Sequence, residues 1–307
     1  MFKKSVLLIA ALALAALVLV IPAWPGTLPT SIVPDGVRWV AHLDMEKFVA
    51  TKFYEYLEKD GRFVIKNRDL TRWFKIDVPR DITGLTIFGL EPGEKRAVFA
   101  VAGKFDKARL LTLLDLAEDH QEIPYGAFTL YSTGSDEFGA FVNDGLIVFS
   151  ESREAIEKVL DTAGGKAKNF ASSKLNAAFK DASSDTFLSG VVEDLAGLGK
   201  EINQSKFVEK ANGMLFFAQE KQDNLQVRVQ VTADSPESAK NMGDIAQGLI
   251  ALARLGQGEG RRDVPAFLVD GLQVKLEGKT VRLELNVLSR EAADMMSRGR
   301  RLSGFFD

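Results

Sequence analysis

Polar and apolar residues alternate along several segments of the second half of the chain. The run from Thr280 to Leu288 has an apolar residue at every second position, and Leu225 to Val231 repeats the pattern. Because successive side chains of a strand point to opposite faces, a period of two predicts strands. One face of each strand is polar, so the pattern indicates antiparallel sheets with one face in water.

A different period appears between Ser235 and Leu255, where apolar residues recur every three or four positions. This spacing predicts an amphipathic helix that packs on a sheet. Ser235 is expected to cap the helix, Pro236 to occupy its first position and Glu237 to complement its dipole. The residues expected to supply the packed layer are Ala239, Met242, Ile245, Ala246, Leu249, Ile250 and Ala253.

Strands predicted in the first half, such as Leu85 to Phe88 and Arg96 to Ala102, are apolar on both sides. Such a sheet either lies between two layers or presents an open apolar face as a groove for lipid or peptide. The layered arrangement is preferred, because soluble proteins seldom leave a large apolar patch open.

The order strand, helix, hairpin, helix, strands, helix occurs twice along the chain. The predicted fold class is therefore α+β, with two related units that are each a mainly antiparallel sheet with helices packed on one face, preceded by an N-terminal apolar helix. The predicted boundaries are a signal peptide or membrane anchor at 1–26, a linker at 27–36, a first unit at 37–163, a connecting segment at 164–185 and a second unit at 186–307.

The tetrapeptide Ser-Arg-Glu-Ala occurs twice, at 152–155 and at 289–292, each time after an apolar run. A serine beside an arginine and a glutamate resembles a catalytic nucleophile with residues that activate it. At the end of a strand, however, a serine is well placed to cap a following helix. Ser150 and Ser152 compete for that role in the first copy. We interpret both copies as structural joints.

Composition excludes several classes of function. The 39 basic and 42 acidic residues give a net charge of −3, so nucleic acid is not an expected partner. The chain has no cysteine, which rules out disulfides and thiolate catalysis. An apolar content of 46% is enough to bury substantial cores.

The N-terminus is the most specific signal in the chain. Lys3 and Lys4 precede an uncharged apolar run from Ser5 to Ile21, followed by a Pro-rich exit. This is typical of an export signal cleaved after Ala23 or of an uncleaved membrane anchor. The anchor is the preferred interpretation, ahead of a periplasmic or secreted protein. In both cases the residues from about 27 onward are expected outside the cytoplasm.

The sequence offers little catalytic material, and we predict no catalytic, cofactor-binding or metal-ligating residues and no cofactor. His42 and His120 are the two histidines. His42 and Asp44 share a strand face, but the matching segment of the second half keeps an aspartate, Asp194, without a histidine, so Asp44 is interpreted as a helix cap. The segments Glu277 to Thr280 and Gly256 to Gly260 lack the context of phosphate or dinucleotide loops. The arginine-rich tail from Arg298 to Phe306 is interpreted as an ordinary helix end rather than a contact for lipid headgroups or a partner.

The segment LPTSIVPDGVRWVAHLDMEKF, with an export segment before it and duplicated strand-helix units after it, resembles a loose group of bacterial envelope proteins. The resemblance implies a location and a fold, and no activity. We expect a non-enzymatic extracytoplasmic binding or interaction protein, held at the inner membrane by its N-terminal segment, with a protein partner or an apolar ligand. The alternative is an envelope hydrolase with a carboxylate site that forms no motif.

Overall fold

The computed structural model describes residues 28–59, 70–90, 97–134, 136–179, 183–193, 195, 208–256 and 265–299. The predicted N-terminal apolar helix and the end of the tail, residues 300–307, lie outside the described residues. Within the described part, no helix combines the length and the hydrophobicity that crossing a bilayer requires.

The chain folds into strands and helices of the predicted mixed type. The described strands are β1 (Trp39–Asp44), β2 (Ile82–Gly89), β3 (Val98–Gly103), β4 (His120–Tyr125), β5 (Phe128–Thr133), β6 (Phe138–Asn143), β7 (Leu146–Ser150), β8 (Thr186–Glu193), β9 (Ala211–Lys221), β10 (Asn224–Ala233), β11 (Leu272–Glu277) and β12 (Thr280–Leu288). The described α-helices are α1 (Met45–Val49), α2 (Lys52–Lys59), α3 (Val78–Asp81), α4 (Lys107–Leu114), α5 (Arg153–Ala163), α6 (Lys174–Phe179), α7 (Pro236–Gly256), α8 (Ala266–Gly271) and α9 (Ser289–Gly299). Short 3-10 turns at Phe170–Ser172 and Val208–Lys210 and a π-helical turn at Leu70–Phe74 complete the described elements.

The chain divides into two compact units, and each unit contains two segments of the chain. The first unit consists of Met1–Val49 and Ile65–Lys180, and the second consists of Ala50–Val64 and Asp181–Asp307. In the first unit the strands pair antiparallel in the order β1-β2-β3-β7-β6-β5-β4. In the second the antiparallel order is β8-β9-β10-β12-β11. The mixed α+β class with large antiparallel sheets is therefore confirmed.

The central strands of the first unit are buried on both faces. Thr86 and Leu85 are neighbours on β2 that point to opposite faces, and both are buried, as are Ala100 and Val101 on β3. This part of the sheet therefore lies between layers and has no open apolar face. Residues 28–36, expected as a linker, are also packed, since Val33 is buried and its carbonyl accepts a hydrogen bond from the Phe170 N–H at 2.7 Å.

Helix α2 belongs to the second unit, although the sequence placed residues 50–59 within the range of the first. Its apolar side chains Phe53, Tyr54 and Leu57 are buried. Glu220 of β9 accepts hydrogen bonds from the backbone N–H groups of Lys52 and Phe53 at 2.7 and 2.8 Å. Chain continuity favours the first unit, but these contacts attach the helix to the second.

The two units share a strand order. In each, the first three strands are neighbours in sequence order, the chain then leaves the sheet through a helix, and the last strand returns beside the third. The hairpin of β4 and β5 is present in the first unit and has no counterpart among the described strands of the second. The duplication predicted from the sequence remains a prediction. A duplication would produce this shared strand order.

Both Ser-Arg-Glu-Ala segments lie where the final strand of a unit passes into a helix, at β7 to α5 and at β12 to α9. Ser152 caps α5, since its hydroxyl accepts from the Ala155 N–H at 3.2 Å. Ser150 instead accepts from the Ser152 N–H and donates to the carbonyl of Ala97. Ser289 is fully buried, and its hydroxyl donates to the carboxylate of Glu220. The two serines therefore stabilise their joints through different hydrogen bonds.

Candidate functional site

Helix α7 of the second unit starts as the sequence predicts. Ser235 accepts a hydrogen bond from the Ser238 N–H at 3.0 Å, and Pro236 is the first helical residue. The first half of the helix then packs on the sheet, where Ala239 and Met242 are buried in one cluster with Ala211, Val231, Ala233 and Val281. This contact fixes the helix and, with it, the direction of every later side chain.

The second half of α7 departs from the prediction. Ile245 and Leu249 were expected in the packed layer, but they are 55% and 62% exposed, and Leu252 and Leu255 are 66% and 73% exposed. At about 100° per residue these four side chains fall within a sector of about 120°. We call Ile245, Leu249, Leu252 and Leu255 the α7 apolar face.

Amphipathic spacing alone could not separate this face from the packed one. Ala246, Ile250 and Ala253, which follow the buried Met242 at helical spacing, are half-buried. The apolar residues of the second half therefore cover two adjacent sectors, one toward the sheet and one toward water. The apolar residues of the second half span more of the helix circumference than a sheet can cover, because a helix on a sheet buries one side only. That width was the signal in the sequence for an exposed apolar face.

Lys240, Asp244 and Arg254 lie outside the sector of the α7 apolar face, with Asp244 about 20° beyond Leu255. Lys240 and Asp244 form an ion pair at 2.7 Å one helical turn apart. From Ile245 to Gly256 the single charged residue is Arg254, whose guanidinium lies 3.5 Å from the carbonyl of Val269 in α8. The helix therefore combines an exposed apolar face with a polar, partly basic side, the pattern of helices that lie in membrane interfaces.

Asp44 and His42 both lie on β1 of the first unit. Asp44 follows the predicted cap geometry, since its carboxylate accepts from the Lys47 N–H at 2.9 Å and pairs with the Lys47 ammonium at 2.9 Å. Burial raises the pKa of Asp44, and the Lys47 contacts oppose that shift. His42 is buried on β1 opposite Thr86 of β2. Asp194, the proposed counterpart of Asp44, lies outside the described residues.

A cavity of about 340 Å³ lies on a sheet face of the second unit. Its polar lining is largely paired internally: the Gln219 amide donates to Gln226 at 2.8 Å, and Arg228 lies 3.6 Å from Glu284. Glu284 is the one carboxylate among its lining residues in the described part of the chain. The pair of converging carboxylates that the hydrolase alternative needs is not found in this cavity.

Comparison with known proteins bears on the fold. No protein-family model matches the chain, and the curated proteins contain no match. Among solved structures, crystal form III of TP0453 is similar with a TM-score of 0.52 at 10% identity, covering 89% of this chain and 99% of that chain. Crystal form IV gives a TM-score of 0.52 at 10% identity and crystal form I gives 0.50 at 9%, each over 89% of this chain and 97% and 98% of those chains. At this level of identity the likeness establishes a shared α+β fold and nothing about activity.

Proposed function

We propose that this chain is a non-enzymatic, extracytoplasmic protein of the bacterial cell envelope that binds a membrane surface through the α7 apolar face. The observation that carries the proposal is the exposure of Ile245, Leu249, Leu252 and Leu255 on one side of a helix that is fixed to its own sheet at the other end. Soluble proteins rarely leave a contiguous apolar patch without a partner.

The choice of a bilayer as the partner rests on charge and on location. Arg254 lies on the polar side of the same helix, and Arg261 and Arg262 follow the helix within a few residues of sequence. Cationic side chains beside an apolar helix face favour anionic headgroups. The N-terminal sequence, with Lys3 and Lys4 before an apolar run, has the pattern of an export signal or a membrane anchor, which supports the same location.

The free energy gained by burying the α7 apolar face is sufficient for reversible membrane binding. Full burial of a leucine or isoleucine side chain contributes about 1.5–3 kcal/mol, so each side chain of the face, about two-thirds exposed, offers roughly 1–2 kcal/mol on entering the acyl region. Four such side chains support surface attachment without a membrane span.

A fluorescent label tests this proposal cleanly because the chain contains no cysteine. A single cysteine at Leu252→Cys is labelled with an environment-sensitive dye in the chain beginning at residue 28, so that the N-terminal segment does not contribute. We expect enhanced, blue-shifted emission on adding phosphatidylcholine vesicles that contain phosphatidylglycerol, and a weaker response with phosphatidylcholine alone. The combined Leu249→Ser and Ile245→Ser change should reduce partitioning about tenfold or more.

The matched control is Gln247→Cys, an exposed position on the polar side of the same helix. Its label should not respond to vesicles. Equal responses at both positions, or none at Leu252, would refute membrane docking. A response at Leu252 that depends on protein concentration without vesicles would instead identify the face as a contact between copies of the chain.

We also infer that the two units arose by duplication. The support is the shared strand order and the equivalent position of the two Ser-Arg-Glu-Ala joints after the last strand of each unit. Superposing β1-β2-β3-β7-β6 on β8-β9-β10-β12-β11 in a crystal structure of the chain should bring Ser152 onto Ser289. A superposition that separates these serines by more than one helical turn would contradict common origin.

A further inference from the structure

A second group of chemically capable side chains lies in the first unit, where α4 ends and β4 begins. Asp115 directly follows α4, and His120 and Glu122 are the first and third residues of β4. His120 and Glu122 share a face of the strand because they are two residues apart. One nitrogen or oxygen atom from each of the three side chains lies within 4.8 Å of the others.

The imidazole of His120 is held in place by its surroundings. Its side chain is 10% exposed, and its ring stacks on that of Tyr131 with centroids 6.1 Å apart. The Nε2 atom is buried and has no hydrogen-bond partner among the described residues, whereas Nδ1 lies 3.2 Å from Oδ1 of Asp115. The stack on Tyr131 and the contact with Asp115 therefore hold the ring with Nδ1 beside a carboxylate.

The spacing suits a metal ion. Two ligands bound to one tetrahedral zinc at about 2.0–2.1 Å are about 3.3–3.4 Å apart, close to the separation of His120 Nδ1 and Asp115 Oδ1. Glu122 is exposed, so its side chain can rotate toward the other two. One imidazole nitrogen with two carboxylate oxygens suits divalent transition metals, whereas Mg²⁺ and Ca²⁺ prefer oxygen ligands alone.

The two carboxylates also favour a cation between them. One oxygen of Asp115 and one of Glu122 lie within 4.8 Å of each other. Two like charges at this distance repel, and a bound cation would offset that repulsion.

We propose that Asp115, His120 and Glu122 form a binding site for one divalent transition-metal ion of the Zn²⁺ class. His120 supplies Nδ1, each carboxylate supplies one oxygen, and water completes the coordination. The ion would join the end of α4 to β4. This site is independent of the α7 apolar face and of the membrane proposal.

Titration of the metal-stripped full-length chain in detergent with Zn²⁺ alone tests the site. We expect one ion per chain by calorimetry, visible absorption from Co²⁺ at the same stoichiometry, and a melting temperature that rises with Zn²⁺, since a ligand of the native state stabilises it. His120→Gln should weaken binding by at least the roughly 10-fold that even outer partners of metal ligands contribute.

Two further variants make the test decisive. Glu122→Gln changes an exposed residue and should also weaken binding while leaving the melting temperature without metal unchanged, so the outcome does not depend on whether His120→Gln folds. Asp119→Asn removes an equal charge in the same turn and should bind Zn²⁺ as the unmodified chain does. The assignment would be overturned if Zn²⁺ binding survived both His120→Gln and Glu122→Gln, or if Asp119→Asn weakened it equally. The absence of a bound ion at millimolar Zn²⁺ would also overturn it.

Discussion

At the residue scale, one carboxylate organises the join between α2 and α9 in the second unit. Glu220 accepts from two backbone N–H groups at the start of α2 and from the hydroxyl of Ser289. The first N–H groups of a helix have no partner within it, and a carboxylate there also complements the helix dipole. Ser289 thus contributes through Glu220 to a helix more than two hundred residues earlier in the chain.

The two serines of the repeated tetrapeptide provide a matched pair for mutation. Ser289→Ala removes a hydrogen bond to a charged group and should lower the free energy of unfolding by about 1.5–3 kcal/mol. Ser152→Ala removes a helix cap and should cost about 0.5–2 kcal/mol. Urea unfolding measures both. The vesicle response at Leu252 should be retained in each variant, and an unchanged stability with a lost response would refute the structural role.

At the element scale, charged side chains link the strands β10, β11 and β12. Glu284 of β12 pairs with Lys275 of β11 at 2.5 Å and lies 3.6 Å from Arg228 of β10. The hydrogen bond from Lys275 is the largest cause of a lowered pKa of Glu284. Burial opposes it, and the charges of Lys275, Arg228 and Arg282 lower the pKa further. The ionised form of Glu284 is therefore favoured in the folded protein.

This shift predicts a pH dependence with a defined sign. Because the folded pKa lies below the unfolded one, the stabilisation by Glu284 is complete above its ordinary value of 4.5 and is lost as pH falls through the lowered pKa. Glu284→Gln should be less stable than the unmodified chain at pH 7, by up to about 1 kcal/mol for a partly exposed pair. Thermal unfolding from pH 7 to pH 3 should show the difference shrinking. Lys275→Gln should reduce the same pH dependence, and a difference that grows in acid would contradict the assignment.

At the scale of the whole molecule, the second unit is discontinuous in sequence. It includes the segment Ala50–Val64, although most of it comes from Asp181–Asp307. Leu57 is fully buried in α2, and Phe53 and Tyr54 are nearly so. Three such side chains contribute on the order of 5 kcal/mol, comparable with the net stability of a typical domain.

A fragment experiment follows from this arrangement. Residues 181–307 alone should be unfolded or should melt far below the intact chain, because Glu220 loses its two backbone donors in α2 and the apolar surface that packs α2 is exposed. Joining residues 50–64 to this fragment through a flexible linker should restore a cooperative thermal transition. Circular dichroism follows both, and Leu57→Ala in the joined fragment is the control that should abolish the gain. Equal melting with and without residues 50–64 would show that α2 is not part of this unit.

The sequence alone determined the local structure well. Alternation identified β10 and β12, and helical spacing placed α7 within one residue of its observed bounds. Capping chemistry identified Ser235 and Asp44, and it left Ser150 and Ser152 as alternatives for the cap of α5. These features depend on neighbours within a few positions, where backbone geometry and hydrogen bonding act directly. The edge strand β4, with the polar sequence HQEIPY, gave no such signal and was missed, and the proposed metal site was missed with it.

Only the tertiary structure decided which faces are covered and by what. The spacing of Ile245 and Leu249 is the same whether they pack on a sheet or face water, and α2 has the same amphipathic pattern whichever unit it joins. Periodicity reports that a side chain belongs to an apolar face, but the partner of that face is supplied by residues distant in sequence. The packing of Ala239 and Met242 on the sheet leaves the α7 apolar face in water, and Glu220 attaches α2 to the second unit, so long-range contacts decided both outcomes.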